Sequence, residues 1–234
     1  MTNRASPRPS PDRPSPRPPS IAIAFRTFAR TLRHGYDNLG TLVLVSLCWY
    51  VGALLIVPLG AVTAGLHRVV LPMTEERVPQ WRAFFANLRS DFRWSSALIV
   101  TLLGGILLLQ ANINFYAGSP NQIVRWLSIP FSTLMLVWLG SNLYAFPLAL
   151  RQEDRRLRTT LRNAIVLVIS NAPGVLVSMV LLVLLVVLLV VLPPLFLVLP
   201  GVVALWGQEN VRLLLVATGY LKKDEIADRE RVVK

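Results

Sequence analysis

Apolar residues in this chain are gathered into runs, and the runs recur in one order. A basic, amphipathic stretch leads into an apolar arm. An aliphatic–proline dipeptide follows, then a second apolar arm. The dipeptides are Val57-Pro58, Ile129-Pro130 and Leu199-Pro200, and the basic stretches are Arg26 to Asn38, Trp81 to Trp94 and Arg151 to Asn163. Gly174 to Leu192 contains no charged residue and is almost wholly Val and Leu. About 20 such residues, at ~1.5 Å rise each, cross a hydrocarbon layer ~30 Å thick. Each central Leu or Val favours insertion by roughly 0.3–0.6 kcal/mol, so the sum is several kcal/mol. The pattern predicts an all-α, polytopic membrane protein of about six spans. The spans form three parallel hairpins, each preceded by an interfacial amphipathic helix.

The arms can be followed in order. From Ile21 to Arg33, residues Ile21, Phe25, Phe28 and Leu32 keep helical spacing, while Arg26, Arg30 and Arg33 occupy other faces. Such a helix can lie among lipid headgroups. Leu39 to Met73 is too long for one ordinary span. Pro58-Leu59-Gly60 near its middle offers a turn, because proline removes a donor and glycine tolerates a tight bend. A hairpin of two short arms, a re-entrant loop and one long tilted helix all fit the length. The arginines on both sides favour the hairpin, since basic segments stay cytoplasmic. Ser95 to Phe115 then goes out, Gly118-Ser119-Pro120-Asn121 turns, and Val124 to Phe146 returns with Pro147 at its inner end. Thr159 to Ile169 reads as a further interfacial helix. Gly174 to Leu192 goes out, Pro193-Pro194 turns, and Leu195 to Ala217 returns. All three hairpins run in one sense, as parallel repeats about the membrane normal. Both termini fall on the cytoplasmic side of the cytoplasmic membrane.

Composition agrees. The 234 residues are 54% hydrophobic and 15% charged, where a soluble domain has about 25% charge. The net charge of +12 is carried by arginines flanking apolar runs, the place for setting orientation and touching anionic lipid. The predicted partner of that charge is the lipid bilayer, not nucleic acid. Residues 1–20 are almost entirely Pro, Ser, Arg and Asp and are expected to form a disordered cytoplasmic tail. Residues 21–220 form the helical membrane domain, and 221–234 a charged cytoplasmic tail. The single cysteine, Cys48, lies in an apolar run and reads as a packing residue.

Polar residues inside the arms are the functional candidates. Each returning arm has a polar cluster about three turns after its proline: His67-Arg68, Ser141-Asn142, and Gln208-Glu209-Asn210. The clusters either line a shared cavity or sit at the inner headgroup boundary, and the boundary is favoured. Glu209 and Arg212, three apart on one helical face, are expected to pair. Asn112, Asn114 and Tyr116 close the third arm, where an amide caps a helix end or bonds a neighbouring arm. A second group, Pro58, Gly60, Thr63 and Gly65, reads as a small-residue turn. Catalysis finds little support. The histidines, His34 and His67, have no Ser or Cys partner nearby in sequence, and no metal-ligand spacing or phosphate-binding loop occurs. No cofactor is expected.

Several short stretches together resemble the YesL-like family of bacterial membrane proteins, whose biochemical role is unassigned. They are the run Gly60 to Val69, Phe84-Phe85, Asn114-Phe115-Tyr116, Tyr144-Ala145-Phe146-Pro147-Leu148, and Leu161-Arg162-Asn163-Ala164. The resemblance covers roughly Phe25 to Leu205. Members often accompany sugar-uptake transporters. The resemblance therefore implies a non-catalytic accessory role beside a transporter or sensor-kinase subunit. A small transporter or channel is the second reading. It requires His67, Asn142 and Glu209 to converge on one interior axis.

Overall fold

The computed structural model describes residues 20–152 and 156–218, so the tails expected at 1–20 and 221–234 lie outside it, Ser20 apart. Among the described residues every regular element is a helix. Helices α1 (Ser20–Asp37) and α2 (Leu39–Leu54) meet at a 92° bend. Asn38 makes that bend. Its side-chain amide donates to the His34 carbonyl at 3.0 Å and closes α1, while its own carbonyl accepts from the Leu42 amide and opens α2. Then follow α3 (Leu59–Met73), α4 (Ala83–Ala86), α5 (Leu88–Ala117), α6 (Gln122–Trp126) and α7 (Ser128–Arg151). The remainder is α8 (Leu157–Ser170), α9 (Ala172–Val191), α10 (Pro193–Phe196) and α11 (Leu199–Ala217).

The aliphatic–proline dipeptides mark helix starts. Pro58 caps α3, Pro130 lies in the first turn of α7, and Pro200 lies in the first turn of α11. A proline costs nothing there, because the first amides of a helix have no intrahelical acceptor. Other expectations need correction. The chain turns at 55–58, ahead of the expected Pro58-Leu59-Gly60, and Gly60, Thr63 and Gly65 lie inside α3, not in a turn. The stretch from Trp81 to Trp94 is not a separate interfacial helix. Its second half is the start of α5, which runs unbroken into the apolar arm. No proline interrupts Leu88–Ala117, and Asp91 in its first turn suits the positive end of the helix dipole. Pro147 does not end α7. It leaves the Leu143 carbonyl without its usual donor, and Gly207 of α11 packs against this point. A Cβ on Gly207 would lie 2.9 Å from that oxygen and 3.3 Å from Pro147 Cγ.

Three helical segments are long and apolar enough to cross a membrane: α5, α6 with α7, and α9. The number is four if α1 and α2 count as one bent span. Six were expected. Helix α3 has 15 residues, or about 22 Å against a hydrocarbon layer of ~30 Å. Helix α11 has 19 residues, but its middle carries Gln208, Glu209, Asn210 and Arg212.

Helix α11 is the centre of the bundle, with α1, α2, α3, α7 and α9 packed around it. The outer faces are apolar. On α9, Val180, Val183, Leu184 and Val187 are all more than half exposed, as are Val100, Leu107 and Leu108 on α5. A helix of a soluble protein turns its apolar stripe to the core and its polar stripe outward. The opposite arrangement marks a chain solvated by lipid. Helix α1 mixes the two, with Arg26, Arg30 and Arg33 exposed beside apolar residues. Ile21, Phe25 and Leu32 point outward, while Ile23, Ala24, Thr27, Thr31 and His34 are buried. Helix α1 therefore does more than lie among headgroups: its small and polar face packs on α9 and α11.

Close helix approach depends on missing side chains. A Cβ on Gly60 would sit 2.5 Å from the backbone carbonyl of Ser95 in α5, whereas one on Gly104 would meet nothing within 4 Å. Gly60→Ala is therefore expected to push α3 off α5 and lose about 1–3 kcal/mol of stability. Gly104→Ala is expected to be neutral or to gain up to about 1 kcal/mol from helix propensity. Thermal unfolding of both variants in detergent checks this. Equal behaviour of the two would contradict the packing described.

Candidate functional site

The most polar part of the interior is built around Glu209, which is wholly buried. It stands midway along α11 and faces α1. Its Oε1 lies 3.4 Å from Arg30 Nη1, which donates a hydrogen bond to it, and 3.9 Å from His34 Nε2. Arg212, one turn on in α11, approaches Oε2 at 4.0 Å. The expected Glu209–Arg212 pair is thus present, but the nearest cation comes from a helix 179 residues away in sequence. Arg30 and His34 are four apart, so one face of α1 delivers both.

The cluster continues to the helix ends. Arg151, the last residue of α7, lies 3.7 Å from Glu75 just beyond α3 and donates to Thr74 Oγ1 at 3.4 Å. Arg77 approaches the other Glu75 oxygen at 3.5 Å. Arg151 is also within electrostatic reach of Glu209 and Arg212. Four arginines and His34 thus surround two carboxylates and join α1, the end of α3, the end of α7 and α11. Beside them, a cavity of about 350 Å³ is lined by Arg33, His34, Asp37, Glu76 and Arg77, among others.

The remaining candidates fall in separate surroundings. Arg68 grips Asp91 with two parallel bonds, Nε to Oδ2 at 2.6 Å and Nη2 to Oδ1 at 2.9 Å. Trp94 Nε1 adds a third bond to Oδ1 at 3.0 Å. This pair ties α3 to α5. His67 stacks parallel to the Phe146 ring at 5.6 Å. Ser141 and Asn142 donate to the Val137 and Trp138 carbonyls of their own helix. Asn210 and Trp206 both donate to Ser178 Oγ and so tie α11 to α9. Asn112 bonds the Leu108 carbonyl, again within its own helix. Thr63 accepts from Trp49 Nε1 at 3.0 Å, joining α3 to α2.

The polar clusters thus have different immediate neighbours. His67, Ser141, Gln208, Glu209 and Asn210 are all buried within protein. Among the described residues no hydrogen bond or ion pair links His67, Asn142 and Glu209. Sequence reasoning missed Arg30, His34, Asp91 and Ser178. Asp91 was the one with a signal: it is the sole acidic residue between Trp81 and Ala117. Arg30, His34 and Ser178 carried none, because their partners come from distant helices. The chemistry available at Glu209 is electrostatic. Its nearest charged neighbours are the guanidinium groups of Arg30 and Arg212. Among the described residues no group of three His, Cys, Asp or Glu side chains is placed to hold a metal.

Glu209 is fully enclosed, while the Arg30 side chain is 45% exposed. Glu209→Ala leaves buried cations unpaired and is expected to lose about 3 kcal/mol or more. Arg30→Ala removes a cation that solvent already screens and is expected to lose about 1 kcal/mol or less. Unfolding midpoints in detergent report the difference, and equal losses would place Glu209 in contact with water. Compared with models of known protein families, with curated proteins and with solved structures, the chain matches none, so the YesL-like resemblance rests on the quoted motifs alone.

Proposed function

We propose that this chain is a non-catalytic integral protein of the cytoplasmic membrane that works through helix contacts, as an accessory to a transporter or sensor. Several of its polar interior residues hold helices together. Arg68–Asp91, Arg30–Glu209, Arg151–Glu75 and Asn210–Ser178 each join two segments. None of these eight residues lines the cavity beside Arg33 and His34. The observation that carries the partner is the uncovered face of α5. Gly52, Gly60, Gly65, Gly105, Gly201 and Gly207 each lie hard against a neighbouring helix or segment, but Gly104 faces open space. Ala97, Gly104 and Ala111 recur at seven-residue spacing and are exposed, so another helix can approach α5 closely there. The link to sugar uptake follows from the YesL-like resemblance alone.

The proposed topology has six arms, with α2 and α3 as a short first hairpin. Ion pairs gather Glu75, Arg77 and Arg151 at one end of the bundle. At the other, the Tyr50 ring stacks on Phe196 and the Tyr116 ring on Phe131. That distribution agrees with bases inside and aromatic residues at the far interface. Single cysteines at Glu76, Ser119 and Arg155, in a Cys48→Ala background, test it in right-side-out vesicles. An impermeant thiol reagent is expected to label position 119 alone. Labelling of 76 together with 119 would remove the first hairpin.

The partner is tested by a photo-crosslinking residue at Leu108, compared with one at Val183 on α9. In native membranes the expected product is a defined transporter or sensor subunit at position 108. Gly104→Leu is expected to reduce that product severalfold while leaving thermal stability unchanged. Lipid adducts alone at both positions would overturn the proposal.

A further inference from the structure

A cavity of about 300 Å³ opens between α2, α3, α10 and α11, at the end of the bundle away from Glu75 and Arg151. This lies at the lower end of the usual range for small-molecule sites. Its walls carry no carboxylate, guanidinium or ammonium group. Trp49, Tyr50 and Phe196 form an aromatic rim. The Tyr50 ring stacks on Phe196 at 5.4 Å, and its hydroxyl donates to the Phe196 carbonyl at 2.9 Å. Trp49 Nε1 donates to Thr63 Oγ1, which itself donates to the Leu59 carbonyl at 2.7 Å. The polar side-chain groups of Trp49, Tyr50 and Thr63 are therefore already engaged.

His67 is the exception. It lines the cavity, is 92% buried (8% exposed), and its Nδ1 is enclosed without a hydrogen-bond partner. No bond to its Nε2 occurs either among the described residues. Stacking on Phe146 fixes the ring plane, so the imidazole edge is held in place with hydrogen-bonding capacity unused. A buried polar group without a partner is costly, and such exceptions in native structures call for a missing partner. The rim opens beside outward-facing apolar residues: Val51, Leu54, Phe196 and Leu197 are all exposed. With α2 and α3 in the bilayer, the mouth faces acyl chains.

We propose that this cavity binds the aliphatic chain of an uncharged, single-chain amphiphile, with a terminal hydroxyl hydrogen-bonded to His67. The class is a long-chain or polyprenyl alcohol. A carboxylate or phosphate head would be stripped of water against walls that offer no cation. An alkane would leave His67 as it is. A hydroxyl both donates and accepts, so it suits either imidazole tautomer. This inference rests on the membrane reading given above, since a cavity open to water would select differently.

The test uses the full purified chain in phosphatidylcholine nanodiscs with a hexadecanol probe bearing a mid-chain diazirine and a terminal alkyne. Adducts are mapped by peptide mass spectrometry and competed with unlabelled hexadecanol, hexadecane or palmitate. Adducts are expected to concentrate in Thr63–His67 and Leu199–Ala204, above those on the exposed face of α9. Hexadecanol is expected to compete about tenfold better than hexadecane, the worth of one hydrogen bond at about 1.4 kcal/mol. His67→Phe is expected to abolish that preference and leave competition by hexadecane unchanged. Val203→Trp is expected to fill the cavity and remove its adducts while those on α9 persist. The His67 variant decides the matter if the Trp variant does not fold. Adducts in proportion to surface exposure, equal competition by alcohol and alkane, preferred competition by palmitate or by the surrounding phospholipid, or an unchanged preference in His67→Phe would each overturn the assignment. Alkaline extraction is run in parallel. A chain retained in membranes with an unlabelled cavity refutes this site alone, whereas a chain that is extracted refutes the membrane reading and this site together.

Discussion

A polar side chain inside a lipid-solvated bundle has no water to turn to, so its partner has to come from the protein. The rest of this structure follows from that constraint. Glu209 sits on the central helix, and Arg30, His34 and Arg212 come to it. The requirement fixes the rotation of α11 about its own axis and the face that α1 presents. It also places His34 of α1 inward, 3.9 Å from Glu209. The desolvation cost of two buried ions is met only when geometry and further hydrogen bonds are good. The bidentate Arg68–Asp91 pair, with Trp94 added, is the best-formed example here.

Between helices in lipid there is little hydrophobic drive, because acyl chains are as apolar as leucine. Close van der Waals contact has to supply the difference. Gly60 against Ser95 and Gly207 against Leu143 and Pro147 bring backbones together where any side chain would hold them apart. Polar pairs and glycine contacts lie on the same interfaces. Helix α3 meets α5 through both Gly60, against Ser95, and Arg68, two turns on and paired with Asp91. One sets how near the helices come, and the other sets their register.

The two ends of the bundle differ in chemistry. One end gathers Glu75, Arg77, Arg151 and the cavity beside His34 and Arg33. The other has aromatic stacking and a cavity whose walls are almost wholly apolar. His67, Ser141 and Asn142 look equivalent in sequence, as polar pairs at one depth on successive returning arms. In space they are not. His67 meets a ring and a cavity, while Ser141 and Asn142 bond back to their own helix. Equal spacing along the chain does not make equal surroundings, because neighbours are set by which helix packs on which face.

Much was legible without coordinates. Runs of Val and Leu identify the long helices, since length and apolarity are local properties and lipid imposes them on each segment separately. The aliphatic–proline dipeptides mark helix starts for an equally local reason: only the first turn tolerates a missing amide. The path through Pro147 was not legible, because the glycine that accommodates it is 60 positions away on α11. Nor was the buried face of α1, which is made of small and polar residues that hydrophobic spacing cannot flag. The sequence by itself determined the solvent, the helices and most of their ends. Tertiary structure alone decided which polar residue meets which, because a pair such as Arg30 and Glu209 exists only once two distant helices share an interface.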